Sequence, residues 1–240
     1  MVLALIVSAI FGVRAGMPVF ADRLAAHIPQ SWQKSLGEIT LGQLDQFFLE
    51  PSRLPPVQRR AVEREFTAIL AQLPADKSAI TLHFRHAPDI GPNAFAIPGG
   101  NIIILDSLVS FLDGNPDALT GVMAHEVGHV VKRHAMRTVT RTTLTAIAAA
   151  LIFGADESFI EEIAAVGATM AIAEQSRGHE LEADQFSASI IRDMGRDPTS
   201  LIQFFDSLQE ACGQNCDANG ILSSHPSFRQ RRNAIQPGHD

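Results

Sequence analysis

The stretch His125-Glu126-Val127-Gly128-His129 decides how the rest of the chain must be arranged. Two histidines four positions apart on a helix are related by about 400° of rotation, so both imidazoles leave the same face, one turn apart. Such a pair supplies two ligands to one metal ion, and the glutamate beside the first histidine is placed to reach a water held by that ion. The spacing predicts half of a zinc site, with His125 and His129 as ligands and Glu126 as general base.

The residues around this stretch favour a real helix. Asn115-Pro116-Asp117 combines an N-cap side chain, a proline suited to the first helical position and an acid in the first turn. Apolar residues then recur at helical spacing, which predicts a buried helix. They are Leu119, Val122, Met123, Val127, Val130 and Val131. The alternative is a pair of core histidines that hydrogen bonds satisfy without a metal.

Composition narrows the class of protein and its partners. The chain has 240 residues, of which 46% are apolar, and is long enough to bury a sizeable core. Its net charge of -7 argues against nucleic acid as a partner, and it contains no Lys/Arg run. A proline-rich break begins at Pro51. We therefore expect an N-terminal segment, residues 1–50, and a main domain, residues 51–240.

Two regions of the sequence suggest contact with a membrane. Residues 1–13 are apolar except for Ser8, but the run is shorter than the 18 or more residues that cross a bilayer. We interpret it as the remnant of a membrane anchor, with a buried element as the alternative. Residues 143–153 and 159–173 are also apolar, and we expect a buried helical hairpin there in preference to one at a membrane surface.

A small sheet is predicted before the metal helix. Residues 79–86 alternate apolar and polar side chains, and residues 93–97 and 102–105 flank a Gly-Gly turn. Pro98 is excluded from a central ladder position, so the hairpin lies at a sheet edge or a bend. An exposed edge beside a metal helix is suited to hold an extended peptide by backbone hydrogen bonds, and a plain hairpin is the alternative. Asp106 is expected to cap the short helix that follows.

A second motif, residues 176–184, offers the remaining ligand. A catalytic zinc takes three protein ligands and keeps one position open, and a carboxylate is a frequent third ligand. Glu180 and Asp184 share one helical face, so we expect Glu180 to bind the metal and Asp184 to accept a hydrogen bond from a ligand histidine. His179, about 100° around the helix from Glu180, is the rival third ligand. His134 points about 140° away from the second histidine of the pair and is expected to be structural.

Five motifs occur together in the order of one known family. They are Asn93-Ala94-Phe95-Ala96-x-Pro98-Gly99-Gly100, His125-Glu126-x-x-His129 with His134, Ser176-Arg177-x-x-Glu180-x-Glu182-Ala183-Asp184, His225-Pro226 and Arg231. In these motifs the sequence resembles the HtpX / CAAX prenyl protease family of zinc endopeptidases, which also includes the Oma-type and BepA-type proteases. The similarity runs from about residue 80 to residue 235.

The resemblance implies a gluzincin, a mostly helical α+β fold with a small β-sheet whose edge strand precedes the HExxH helix. It implies one zinc ion per chain, held by His125, His129 and Glu180, with Glu126 as the base. It also implies an extended or unfolded polypeptide substrate along the sheet edge, with residues 51–240 as the metallopeptidase domain. The residues expected to line that edge are Asn93, Ala94, Phe95, Gly100 and Ile102.

The oxyanion of the transition state needs a further hydrogen-bond donor. The chain contains no tyrosine, so a histidine, an arginine or a backbone group must serve. His225 is the first candidate and Arg177 the second. By resemblance to BepA-like members, His225 would instead occupy the fourth zinc position in a resting state, and a third alternative is that it caps the last helix.

The sequence departs from HtpX and the prenyl proteases in having no full transmembrane helix, so prenyl-protein processing is not expected. It is more similar to the BepA/Oma-like members, whose roles concern envelope or membrane protein quality control. We therefore expect a membrane-associated or periplasmic zinc endopeptidase of the cell envelope, with a membrane surface as second partner and the cytoplasm as alternative location. The alternative functions are a chaperone-like zinc-binding adaptor that cleaves little, and hydrolysis of a bond other than a peptide.

Overall fold

The computed structural model describes residues 16, 17, 19–74, 79–153, 176–203 and 235, with the backbone alone for residues 149–153. Within these residues the helices are α1 (residues 19–27), α2 (Gln30–Phe47), α3 (Pro56–Leu70), α4 (Asp106–Phe111), α5 (Pro116–Val131), α6 (His134–Phe153), α7 (Arg177–Asp193) and α8, which begins at residue 199. The strands are β1 (Glu50–Pro51), β2 (Thr81–His86), β3 (Ala94–Ile97) and β4 (Asn101–Leu105). The predicted α+β class, mostly helical with one small sheet, is confirmed.

The four strands form one mixed sheet in the order β1-β2-β4-β3. Strands β2 and β4 are parallel, whereas β3 pairs antiparallel with β4 as a hairpin. A single 3-10 turn, Pro98–Gly100, joins the hairpin, and both of its glycines adopt positive φ values, 78° and 84°, a region that favours glycine. The predicted hairpin is therefore confirmed, with Pro98 in its turn and β3 as the terminal strand of the described sheet.

The sheet is covered on both faces, because successive side chains of a strand point to opposite sides. From β4, Ile102 and Ile104 enter the larger core, to which helices α3, α5 and α7 contribute. Ile103 and Leu105 enter a smaller core on the α2 side, together with Leu44. The side chains of β3 alternate between the two cores in the same way, so all four are buried.

Helix α5 forms the buried centre of the larger core and begins as the sequence predicts. The Asn115 side chain accepts a hydrogen bond from the Ala118 N–H at 3.1 Å, and Pro116 is the first helical residue. Prolines are tolerated there because the first N–H groups of a helix have no intrahelical partner. From residue 118 to residue 129 every position is buried.

Asp106 does not cap helix α4, which corrects the prediction made for it. It is the first residue of the helix, and the N-cap position belongs to Leu105. Its carboxylate accepts hydrogen bonds of 2.6 Å from the Ser52 hydroxyl and from the Arg53 backbone N–H. Asp106 thereby ties the β1–α3 connection to the end of β4.

The N-terminal segment from helix α2 onward packs with the same sheet as the rest of the chain. Helix α2 lies against the Pro98–Gly100 turn and contributes Leu44 to the smaller core, and β1 pairs with β2. The division between residues 50 and 51 remains a prediction. Among the helices given above, none has both the length and the apolar content needed to cross a bilayer.

The two apolar segments are only partly within the described residues. Residues 1–13 and 159–173 lie outside them. In helix α6, residues 141–148 are half-buried or exposed, and Ile147 is 46% exposed. Residues 143–148 of the predicted hairpin are therefore not buried, which corrects the expectation for these positions.

Helices α5 and α7 approach each other closely because small residues line their contact. A Cβ atom on Gly128 would lie 3.2 Å from the Ala183 carbonyl oxygen and 3.1 Å from Cδ1 of Phe186. Nearer the start of α5, the Ser187 hydroxyl donates a hydrogen bond of 3.0 Å to the Gly121 carbonyl. The distance between the two helices is thus set by the absence of a side chain at Gly128.

We expect Gly128→Ala to destabilise the protein by about 1–3 kcal/mol, the usual cost of overpacking a tight interior contact. The added methyl group meets backbone atoms of α7, which cannot move aside as a flexible side chain would. Urea unfolding measures the effect. The matched control is Gly42→Ala in helix α2, where a Cβ meets nothing within 4 Å and alanine favours the helix by up to about 1 kcal/mol. Equal stabilities of the two variants would contradict this account of the contact.

Candidate metal centre

Two helices bring three buried side chains together at one point. Helix α5 supplies His125 and His129, whose Nε2 atoms are 2.9 Å apart. Helix α7 supplies Glu180, whose Oε2 lies 3.5 Å from Nε2 of His125 and whose Oε1 lies 3.3 Å from Nε2 of His129. Within the described residues, this is the one group of histidine, cysteine or carboxylate side chains with the spacing of a metal site.

The cluster fits a tetrahedral zinc ion. Zinc–ligand bonds of about 2.0–2.1 Å at tetrahedral angles place the ligand atoms about 3.3–3.4 Å apart. The three separations here, 2.9, 3.3 and 3.5 Å, lie around that value. Two imidazoles and one carboxylate also make up a common ligand set of catalytic zinc, which leaves a fourth position open.

The outer nitrogen of His125 is held by a carboxylate. Its Nδ1 lies 3.0 Å from Oδ1 of Asp184, which is fully buried one turn after Glu180 on helix α7. A metal-binding histidine commonly donates its second N–H to such a group, which fixes the tautomer and the ring orientation. The same-face spacing of Glu180 and Asp184 therefore brings both carboxylates to one histidine from opposite sides of its ring.

Glu126 lies beside the cluster on helix α5 and is almost fully buried. Only 1% of the residue is exposed. Because successive residues of a helix are about 100° apart, its carboxylate leaves the helix on a different line from the two histidines. It is not a member of the three-residue cluster.

The rival ligand His179 is not a member of the cluster. Its ring stacks on that of His134, with centroids 4.2 Å apart and planes 5° from parallel. Neither of its ring nitrogens has a hydrogen-bond partner among the described residues. Burial lowers the pKa of His179 to about 4.

His134 contacts a member of the cluster, which the sequence analysis missed. Its Nδ1 lies 2.9 Å from Nδ1 of His129. The expected separation of 140° assumed one continuous helix, but α5 ends at Val131 and α6 begins at His134, with Arg133 between them at φ 58°. The turn swings His134 back against α5. The contact could have been predicted only by placing a helix end between His129 and His134, where α5 stops at Val131.

A chain of hydrogen bonds leads from His134 to the N-terminal helix. His134 Nε2 lies 3.3 Å from Glu182, which also accepts a hydrogen bond of 2.9 Å from Arg137. Arg137 donates in turn to Asp22 of helix α1 at 2.8 Å, and Arg141 donates to both oxygens of the same carboxylate, at 2.6 and 2.8 Å.

Burial and the neighbouring arginines determine the protonation states of these hydrogen-bonded side chains. Burial, reinforced by the neighbouring His179, lowers the pKa of His134 to about 3, so this ring is neutral at pH 7. Burial acts to raise the pKa of Glu182, but the hydrogen bonds from Arg137 and His134, together with the positive charge of Arg137, outweigh it and the pKa is lowered. Burial likewise opposes ionisation of Asp22, yet hydrogen bonds from Arg141 and Arg137 lower its pKa to about 2.

On the side away from β4, the terminal strand β3 presents backbone N–H and C=O groups. The Asn93 carbonyl accepts from the Leu105 N–H at 3.0 Å, and in an antiparallel ladder every second pair is bonded in this way. The register therefore directs the N–H and C=O groups of Ala94 and Ala96 away from β4. A cavity of about 190 Å³ lies alongside, between Ala96, His129 and Met136.

The expected substrate-binding residues are only partly at this edge. Phe95 pairs inward with β4 and its side chain lies in the smaller core, and Ile102 is fully buried on an interior strand. Gly100 lines the cavity. The substrate-binding role of the expected residues stays a prediction, and Ala96 joins Ala94 in directing its backbone groups outward, because strand residues alternate in direction with a period of two.

Of the two predicted oxyanion donors, Arg177 lies within the described residues. Arg177 is the first residue of helix α7 and is exposed. His225 lies outside the described residues, as does Arg231 of the same predicted motif.

Comparison with known proteins places the chain in a family. The profile of peptidase family M48 matches residues 57–237. Similar proteins include the Beta-barrel assembly-enhancing protease of Escherichia coli (strain K12), 29% identical over 164 residues, which cover 60% of this chain and 33% of the relative. The Mitochondrial metalloendopeptidase OMA1 of Schizosaccharomyces pombe is 29% identical over 154 residues, 62% of this chain and 44% of the relative.

The Metalloprotease LoiP of Escherichia coli (strain K12) is 26% identical over 148 residues, which cover 60% of this chain and 57% of the relative. The matches cover about a third of the Beta-barrel assembly-enhancing proteases, whose full length is therefore not represented here. The family match extends over most of the chain and includes both helices of the cluster. The chain belongs to peptidase family M48, in agreement with the family resemblance of its five motifs.

Proposed function

We propose that this protein is a zinc-dependent endopeptidase in which His125, His129 and Glu180 hold the ion and Glu126 is the general base. The observation that carries the proposal is the convergence of two Nε2 atoms and a carboxylate at separations of 2.9–3.5 Å in a buried site. Membership of a peptidase family supports it independently.

The proposed reaction is attack of water on a peptide carbonyl. Zinc held by three such ligands supplies a water of lowered pKa and polarises the scissile carbonyl. Glu126 accepts the proton that the attacking water loses and returns it to the amine nitrogen of the leaving group. Asp184 keeps the proton of His125 on Nδ1, so that the Nε2 lone pair faces the site.

His225 is our first candidate for the donor that stabilises the oxyanion, and Arg177 is the second. Arg177 precedes Glu180 by three residues on helix α7, so the two side chains leave the helix on the same side. This spacing supports Arg177 as a group that faces the substrate at the rim of the site.

The substrate is proposed to be an extended polypeptide that adds a strand to β3. The outward N–H and C=O groups of Ala94 and Ala96 suit main-chain pairing, which holds a peptide without reading each side chain. The adjacent cavity, which His129 also lines, gives space for substrate side chains next to the metal cluster. These features favour unfolded or extended segments as substrates.

We further propose that the protein works at the cell envelope, in quality control of membrane or envelope proteins, and contacts a membrane surface. The names of its relatives refer to β-barrel assembly and to mitochondria. On helix α1, Ala21 and Ala25 are buried, whereas Phe20 and Leu24 share another side and are 58% and 42% exposed. An apolar side of this kind suits the interface of a bilayer.

The substitution Glu126→Gln tests the general base. It preserves the size of the side chain but removes its capacity to accept a proton, so we expect cleavage of casein to fall by about 100-fold or more. Zinc content, measured by metal analysis, should stay at one ion per chain. The exposed control Glu63→Gln on helix α3 should cleave normally. A zinc-loaded wild-type protein that binds casein but never cleaves it would favour the adaptor function instead.

The third ligand is tested by Glu180→Ala beside His179→Phe. Loss of Glu180 removes one of three ligand side chains, so zinc affinity should fall by more than about 100-fold, beyond the effect of losing a group that only orients a ligand. His179→Phe retains an aromatic ring in the stack and should bind zinc as the wild type does. Chelator competition measures both affinities. If His179→Phe lost zinc affinity and Glu180→Ala retained it, His179 would be the third ligand.

Pairing with β3 is tested by an N-methyl scan of a cleaved peptide. Along a paired strand, alternate N–H groups face the partner strand, so methylation at every second position should lower kcat/KM strongly while the intervening positions have little effect. Cleavage rates across single N-methyl peptides of one sequence provide the measurement. Losses without a period of two would exclude strand addition, even for an active protease.

A further inference from the structure

We propose that His134 is the positioning residue that holds His129 in its metal-binding tautomer, and that helix α1 supports it through a chain of hydrogen bonds. This inference rests on the proposed zinc site. It concerns a residue outside the three-ligand cluster and outside the general base.

The position of the proton on His129 determines which of its ring nitrogens can bind a metal. A neutral imidazole has one N–H and one lone pair, and its lone pair binds a metal. Nε2 of His129 faces Nε2 of His125 and the carboxylate of Glu180, so this atom is the one available for the ion. The proton of His129 must then reside on Nδ1.

Only an acceptor opposite Nδ1 stabilises that tautomer. The atom found there, 2.9 Å away, is Nδ1 of His134, which accepts if its own proton is on Nε2. His134 Nε2 in turn lies 3.3 Å from the carboxylate of Glu182, a group that accepts hydrogen bonds when ionised. The reverse arrangement would set two N–H groups against each other and a lone pair against a carboxylate. The geometry therefore permits one direction of donation along these hydrogen bonds, from His129 to His134 and from His134 to Glu182.

The surroundings of His134 hold it in this state. The residue is fully buried, and the parallel ring of His179 covers one face. Glu182 is fixed by Arg137, which also donates to Asp22 on helix α1. The acceptor of the ligand histidine is thereby connected to the N-terminal segment of the chain.

Helix α1 is attached to helix α6 at more than one point. Asp22 accepts from both Arg137 and Arg141, and Arg133 donates to the Ala26 carbonyl at 2.8 Å. The same face of α1 is buried through Ala21. These contacts keep the first turns of α6, and with them His134, against the end of α5.

A histidine acceptor also suits the electrostatics of the site. His125 is already held by a carboxylate, and Glu126 and Glu180 are buried nearby. A second carboxylate directly on His129 would add another anion to a water-poor region, where like charges repel more strongly than in water. His134 supplies the acceptor while leaving the negative charge one ring further away, on Glu182, whose partner is Arg137.

The experiment compares His134→Phe with His134→Asn in the full chain. Phenylalanine retains a ring against His179 but offers no acceptor, so zinc affinity should fall by about 10–100-fold in chelator competition. Asparagine places a carbonyl oxygen where Nδ1 stood and should retain affinity within a few-fold. The matched control is His179→Phe, which alters the same stack without touching the hydrogen bond and should bind zinc as the wild type does. Urea unfolding of each metal-free variant checks that it is folded.

A second measurement reads the tautomers directly. In zinc-loaded wild-type protein, two-bond ¹H–¹⁵N spectra should show His129 protonated at Nδ1 and His134 at Nε2, with a downfield hydrogen-bonded Nδ1 proton that His134→Asn retains. A proton on Nδ1 of His134 in the wild type overturns the proposal, even if the phenylalanine variant does not fold. Equal zinc affinities of wild type and His134→Phe, or equal losses in the Phe and Asn variants, also overturn it. If the His134 variants give one of these results while Glu180→Ala loses zinc in the same assay, this inference fails and the proposed metal site stands.

Discussion

The close contact between helices α5 and α7 is the constraint on which the site depends. Two of the proposed ligand atoms come from α5 and the third from α7, and a zinc site tolerates ligand distances only within about 0.2 Å. A side chain at Gly128 would press on Ala183 and separate the two helices. Because Glu180 lies less than one turn before Ala183, any such separation would move its carboxylate from His125 and His129. A glycine at this point of the HExxH helix thus has a geometric role besides its permissive backbone.

The same contact places several ionisable groups in a core that is otherwise apolar. Buried carboxylates are costly unless positive charge or hydrogen bonds compensate them. Glu180 and Asp184 obtain partners from the two histidines of α5, and a divalent cation would compensate them more fully. The more distant charges are treated differently, since Glu182 pairs with Arg137 at the edge of the core. Outside the cluster, negative charge is therefore paired with arginine. The neutral His134 lies between the carboxylates of the cluster and the Glu182–Arg137 ion pair.

Local periodicity predicted the features that depend on one element. The N-cap at Asn115, the β3–β4 hairpin and the shared face of Glu180 and Asp184 follow from spacing along a single helix or strand. The contacts of His134 did not follow, because they depend on a break between two helices at Arg133. Neither did the expected substrate edge, where the direction of each backbone group depends on the register with β4. Periodicity gives the faces of an element, whereas junctions and registers require the neighbouring element.

The family profile and the structural unit do not have the same limits. The matched region begins at residue 57, yet α2 packs against the Pro98–Gly100 turn and β3, and α1 forms ion pairs with α6. Asp22 pairs with both Arg137 and Arg141, and without it these two partly buried guanidinium groups would lose a shared negative partner. Their mutual repulsion would act on the first turns of α6, where His134 begins the helix. The N-terminal segment therefore contacts helix α6 close to His134, although it lies before the region that the family profile matches.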